Sequence, residues 1–203
     1  MKKLFLGMAV AASTLAFSQS FGIKGGLNLS SLSDDGSVDN KTKAGFNAGV
    51  FMNAPLGSDF SIQPEVLYND LGAKTTYKLA GENNNPEYST NLGYISVPVM
   101  FQYNATPEFY LEAGPQFNFL VSANSKFKSG DNTRTVDLNK DNLNTFDFGL
   151  GIGAGYWITP QFGINARYNA GFTKIGKDDT LEGAAFGDAK NNTFQVGLAY
   201  KFN

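Results

Sequence analysis

Apolar residues alternate with small or polar ones along most of this chain, and helical spacing is hard to find. Eight alternating segments, each closed by turn residues, fall near 21–30, 44–53, 60–69, 92–103, 109–122, 146–157, 162–172 and 193–202. Each is close to the ~9–11 residues a tilted strand needs to cross a bilayer. One parity reads Phe21, Ile23, Gly25, Leu27, Leu29 in the first segment and Phe146, Phe148, Leu150, Ile152, Ala154, Tyr156 in the sixth. Across all eight segments that parity carries no charge and no amide. The opposite parity is small or polar, with Lys24, Asn28, Asn47, Gln63, Glu65, Asn69, Ser96, Gln102, Glu112, Gln116, Asn118, Asp147, Asn165, Arg167, Asn169, Gln195 and Lys201 set among glycines.

Alternation says that one face is apolar, not which way it points. Three features decide. Phe21, Phe60, Tyr68, Tyr103, Phe109, Phe146, Phe162, Phe172, Phe194 and Phe202 cluster at the ends of the apolar rows, as the two interfacial girdles of a membrane barrel require. The glycine-rich polar parity suits a crowded barrel interior. Connections near 31–43, 70–91, 123–145 and 173–192 are long, and those near 54–59, 104–108 and 158–161 are short. The expected architecture is all-β, an eight-stranded antiparallel up-and-down transmembrane β-barrel. The alternative is a soluble lipocalin-like secreted barrel, which would need charges scattered over its outer face. A sandwich would need crossover connections that this run of hairpins lacks.

Composition narrows the chemistry. The 203 residues contain no Cys and no His, which removes disulfides, thiolate catalysis and the usual general base near neutral pH. A net charge of −2 offers no footprint for nucleic acid. Residues 1–18, MKKLFLGMAVAASTLAFS, read as a cleaved secretory signal, with Lys2 and Lys3 before an apolar run and small residues at Ala16 and Ser18. The barrel domain then spans 19–203 and carries a net charge of −4.

Six charges lie on the inward parity: Lys24, Arg167 and Lys201 against Glu65, Glu112 and Asp147. Equal numbers of each sign in a narrow lumen predict an internal salt-bridge and hydrogen-bond network; a gated ion or proton path is the competing reading. Glu65 with Glu112 could in principle serve a glycosidase, but nothing sets them beside a cleft. The expectation is no enzyme, no cofactor and no metal. The run Asp137-Leu138-Asn139-Lys140-Asp141 imitates a calcium loop and fails at Asn142 and Phe148. Asp178, Asp179 and Glu182 read as a solvated loop. Gly149-Leu150-Gly151-Ile152-Gly153-Ala154 fits a loose dinucleotide fingerprint, but no helix follows it.

Several short runs carry a resemblance. They are Gly22-Ile23-Lys24-Gly25-Gly26-Leu27-Asn28, Ile62-Gln63-Pro64-Glu65-Val66-Leu67-Tyr68, Tyr94-Ile95-Ser96-Val97-Pro98-Val99, Glu112-Ala113-Gly114-Pro115, Phe146-Asp147-Phe148-Gly149, Ala166-Arg167-Tyr168-Asn169 and Tyr200-Lys201-Phe202. Together they resemble the PorT-type outer-membrane barrels of Bacteroidota, related in shape to the OmpA and OmpX barrels. Ser96 departs from the pattern, since the family often has an acid there. Pro64, Pro98 and Pro115 fall on positions similar to family prolines, and bulges are expected beside them because proline removes a ladder hydrogen bond.

The resemblance implies an integral protein of a Gram-negative outer membrane, surrounded by its lipid. The chain is expected to be a monomer that enters through the barrel-assembly machinery by its C-terminal strand. A side-chain-filled polar lumen and long external loops suit a structural or interaction protein, with extracellular or envelope proteins as partners. A narrow channel or a transport or secretion accessory is the alternative.

Overall fold

The structure is a computed structural model describing residues 19–33, 41–76, 87–129, 132–177, 180 and 188–202. The signal segment and Asp178, Asp179 and Glu182 lie outside them. The strands are β1 (Ser20–Ser33), β2 (Lys41–Pro55), β3 (Phe60–Thr76), β4 (Glu87–Asn104), β5 (Phe109–Ser129), β6 (Asn132–Asp137), β7 (Phe146–Trp157), β8 (Phe162–Gly171) and β9 (Lys190–Lys201). Every pairing between them is antiparallel. Eight strands close a ring in the order β1-β2-β3-β4-β5-β7-β8-β9, and β6 pairs only with the upper part of β5. The ring shuts where β1 meets β9, from Gly22↔Lys201 to Ser33↔Lys190.

The parity read from the sequence maps directly onto this ring. Every residue of the apolar parity is exposed or half-exposed on the outside. The inward polar residues named above are buried, apart from half-exposed Lys201. A solvated barrel would reverse this arrangement, so the outer surface is built for lipid.

The long-loop end corrects the sequence reading. Stretches expected to be loops, 70–76, 87–91 and 123–129, continue as strand, and Asn132–Asp137 adds one more. β3, β4 and β5 reach 17, 18 and 21 residues, about twice the bilayer requirement. They stand as a wall above the lipid-facing band. Alternation fades there because water wets the outer face, so Lys74, Lys126 and Lys128 replace the apolar residues that lie lower down. A bulge marks the change. Tyr94 pairs with Leu120 but Gly93 pairs with Ser122, so Val121 is the extra residue and inward parity on β5 flips above it.

The prolines bring no bulges, contrary to the sequence expectation. Register runs unchanged from Phe51↔Glu65 to Ala54↔Ile62, from Pro64↔Val99 to Leu67↔Ser96 and from Pro98↔Gln116 to Phe101↔Ala113. Each interval skips two residue pairs, and these contain Pro64, Pro98 and Pro115 respectively. The missing donor is absorbed as a local gap on one side of each strand, while the other side stays laddered. The three gaps fall on three successive seams.

Candidate functional site

Three layers fill the ring. At the short-turn end, Trp157 packs against Phe51 and Tyr110, with ring centroids 6.5 and 6.3 Å away. Lys201 Nζ sits 4.0 Å over the Trp157 ring, a cation–π contact. Gly155 permits this closure, since a β-carbon there would overlap the Tyr110 ring.

The middle layer is polar. Arg167 is fully buried and forks onto Glu65, Nη1 to Oε2 at 2.8 Å and Nη2 to Oε1 at 2.7 Å. Its Nε donates to Glu112 Oε1 at 2.7 Å. Lys24 Nζ reaches Glu65 Oε1 at 3.3 Å, and the amides of Gln63 and Gln102 donate to Glu65 and Glu112. Two cations and two carboxylates thus satisfy one another in a buried, neutral cluster. Beside it, Asn28 Oδ1 accepts from Asn47 and Gln195 at 2.7 and 3.0 Å, and Gln195 also donates to Asn69. Asn69 Nδ2 in turn donates to Ser96 Oγ at 2.8 Å. A hydroxyl therefore completes the network where the resembled family often has an acid.

The third layer, at the long-loop end, is apolar. Leu32, Leu71, Ala73, Leu92, Tyr94, Leu120, Ala123, Leu143, Ile175 and Ala189 form one buried cluster. Leu143 and Ile175 enter it from the connections that flank short β7 and β8. A Leu143↔Gly176 bridge and the bonds Asn144 N→Ile175 O (2.8 Å) and Ile175 N→Ala189 O (3.0 Å) hold them in place. Asn144 Nδ2 adds bonds to the carbonyls of Lys174 and Gly176.

Of the six charges expected in the lumen, Lys24, Glu65, Glu112 and Arg167 come together. Asp147 and Lys201 do not join them. Asp147 lies toward the long-loop end, where Asn118 donates to its Oδ2 at 3.4 Å. Lys201 is at the opposite mouth. The ten aromatics expected at the interfaces all sit on the outer face: Phe21, Phe60, Tyr103, Phe109, Phe162 and Phe202 at the short-turn end, and Tyr68, Phe146, Phe172 and Phe194 at the other. Neighbouring strands pair them, as in Phe60–Tyr103 at 5.4 Å and Phe119–Phe146 at 5.6 Å.

The sequence reading missed the two apolar closures. Their signal lay in the exceptions to a polar interior, namely Phe51, Tyr110, Leu71, Leu92 and Leu120 on inward positions. Leu143 and Ile175 lie in connections and carried no periodic signal.

The model of a family described as the outer membrane protein beta-barrel domain matches residues 17–177. The chain belongs to that family. Membership makes it an outer-membrane protein of the Gram-negative kind. In such barrels the short turns are periplasmic and the long loops external.

A solved structure agrees on the fold. Neisserial surface protein A is 16% identical over 91% of this chain and 99% of its own, with a TM-score of 0.52. Ail, the attachment invasion locus protein of Yersinia pestis, is 18% identical over 92% and 100%, with a TM-score of 0.49. CarO of Acinetobacter baumannii is 11% identical over 89% and 97%, with a TM-score of 0.48. No curated protein matches the chain.

Proposed function

We propose that this outer-membrane barrel is a closed scaffold that presents its external wall and rim to partners or ligands, and does not conduct solutes. One observation carries the reading: the lumen is blocked at three levels by unlike chemistry, aromatic, ionic and aliphatic. An ion entering from either side would meet apolar side chains and then the Arg167 cluster, whose members already satisfy one another. The wall of β3, β4, β5 and β6 gives the external side more folded surface than the spanning ring requires. The same reading includes no catalytic role, a monomer, insertion by the assembly machinery through β9, and a leader removed before Gln19.

Kinship with the PorT-type barrels of Bacteroidota is the finer part of the proposal. Its support is convergence in space. The runs around Lys24, Ile62–Tyr68, Glu112–Pro115 and Ala166–Asn169 are far apart in the chain, yet they supply all four members of the central cluster.

Planar-bilayer recording tests the closed scaffold. Purified protein should give conductance near background, and large, steady single-channel steps would overturn it. Loss of surface secretion in a deletion strain would move the protein from general scaffold to secretion accessory.

A further inference from the structure

The lipid-facing surface of the barrel is not evenly ridged. On several seams neighbouring strands pair aromatic side chains, as in Phe46–Tyr68 at 5.7 Å and Phe117–Phe148 at 5.6 Å. On β1 to β4 the pattern changes, and a groove of about 490 Å³ opens between two cross-strand rows. The first row is Phe21, Met52 and Pro64; the second is Val50, Val66 and Val97. Between them runs a third row, Gly22↔Phe51↔Glu65, whose residues are buried on the lumen side. Its backbone is the floor of the groove.

Short side chains make this groove, since valine and proline stand less far from the sheet than the rings of the aromatic seams. The ladder also skips on both sides of β3 here, at Pro64 toward β2 and at Val66 toward β4. The groove climbs obliquely. It starts at Phe21 and Phe202 on the short-turn side and reaches Val97, well above the end of β4 at Asn104. Phe202 N donates to Phe21 O at 2.6 Å, so these two residues sit together at the lower mouth. No charged side chain forms its walls, because Glu65 turns inward to Lys24 and Arg167.

We propose that this groove seats one acyl chain of a phospholipid from the periplasmic leaflet, with the headgroup at the Phe21–Phe202 mouth. The occupant follows from the surroundings. The groove is continuous with the lipid-facing surface, and its lining offers hydrocarbon and nothing a polar ligand could bond. Lipid tails are as apolar as these side chains, so packing, not escape from water, selects one seat over another. A chain laid in the groove touches the floor and both walls, whereas a chain on an even face touches one side. Dispersion attraction sums over those added contacts. A second barrel, itself convex, would not reach the floor.

Photolabelling of the folded barrel tests this, in vesicles of phosphatidylethanolamine and phosphatidylglycerol with a trace of phospholipid carrying a diazirine on its acyl chain. Adducts are mapped by mass spectrometry after digestion. Labelling at Val50, Met52, Val66 and Val97 should exceed that at Leu111 and Ile152, outward residues on the far side, by about threefold, a preference of about 0.7 kcal/mol. Val97→Phe should fill the groove and erase the excess. Val66→Phe, at a more exposed position, should do the same with less strain on packing, and the heat-dependent gel shift reports that each variant is folded. Even labelling around the ring, as for lipid with no fixed seat, would overturn the proposal. So would labelling of the groove below the far side, as expected if another copy of the chain covered it, or an excess that both variants leave intact.

Discussion

Arg167 and Glu65 are 102 residues apart in sequence and meet as a two-pronged ion pair, with both bonds between 2.7 and 2.8 Å. The pair ties β8 to β3 across the lumen, two strands that share no backbone ladder. Removing the guanidinium leaves two buried carboxylates with only Lys24 to balance them. Arg167→Ala should therefore cost about 3–5 kcal/mol, seen as a lower urea midpoint and a lower temperature for the gel shift. Arg167→Lys should recover only part of this, since a point charge cannot reproduce the fork.

Removing the carboxylates as well should be gentler. With Lys24→Met, Glu65→Gln and Glu112→Gln added to Arg167→Met, no member of the cluster stays charged. The quadruple variant should regain more than half of the stability lost in Arg167→Ala. Additive losses would mean that the cluster members act independently.

Trp157→Ala probes the periplasmic closure. It removes the ring between Phe51 and Tyr110 and should cost about 2 kcal/mol, less than a fully buried tryptophan. Conductance should stay near background because the Arg167 layer is intact. A new conducting state in this variant would show that the aromatic layer alone holds the seal.

Leu143→Asp places a charge in the external aliphatic layer, where Leu143 is fully buried. The connections that carry Leu143 and Ile175 should lift from the rim while the ring stays closed. Protease added to intact cells should then cut within 138–145, with the heat-dependent gel shift preserved.

Pro64→Val restores a donor in the gap between β2 and β3 at a half-exposed position. If a carbonyl of β2 accepts it without strain, stability should rise by about 1 kcal/mol. Denaturant unfolding in detergent would measure the gain.

The spanning part of this protein was legible because lipid imposes a strict rule, apolar outside at every second residue. Phe21 to Phe202 obey it, so strand number, parity and closure could be read without coordinates. Above the bilayer the rule lapses. Lys74, Ser89, Lys126 and Thr135 line one cross-strand row on the outer face of the wall, and nothing in their pattern separates strand from loop. The central cluster was half legible, since inward charges of both signs must find partners. Which ones meet depends on height in the barrel, and that separates Asp147 from Lys201. The proline gaps were misjudged for a related reason: a ladder can skip a bond on one side without adding a residue.

The wall of β3 to β6 gives the barrel a front and a back. Seen from outside the cell, a cylinder of even height looks alike from every bearing, and neighbours can crowd it at any angle. Here one flank carries a raised sheet, and on the other, among the described residues, strands β7 and β8 are short. Anything arriving over the low flank meets the inner surface of the sheet, whereas an approach from behind meets the polar outer row of Lys74, Ser89, Lys126 and Thr135. Rotation about the membrane normal thereby becomes a meaningful variable for this protein, and two copies side by side would be distinguishable by which way they face.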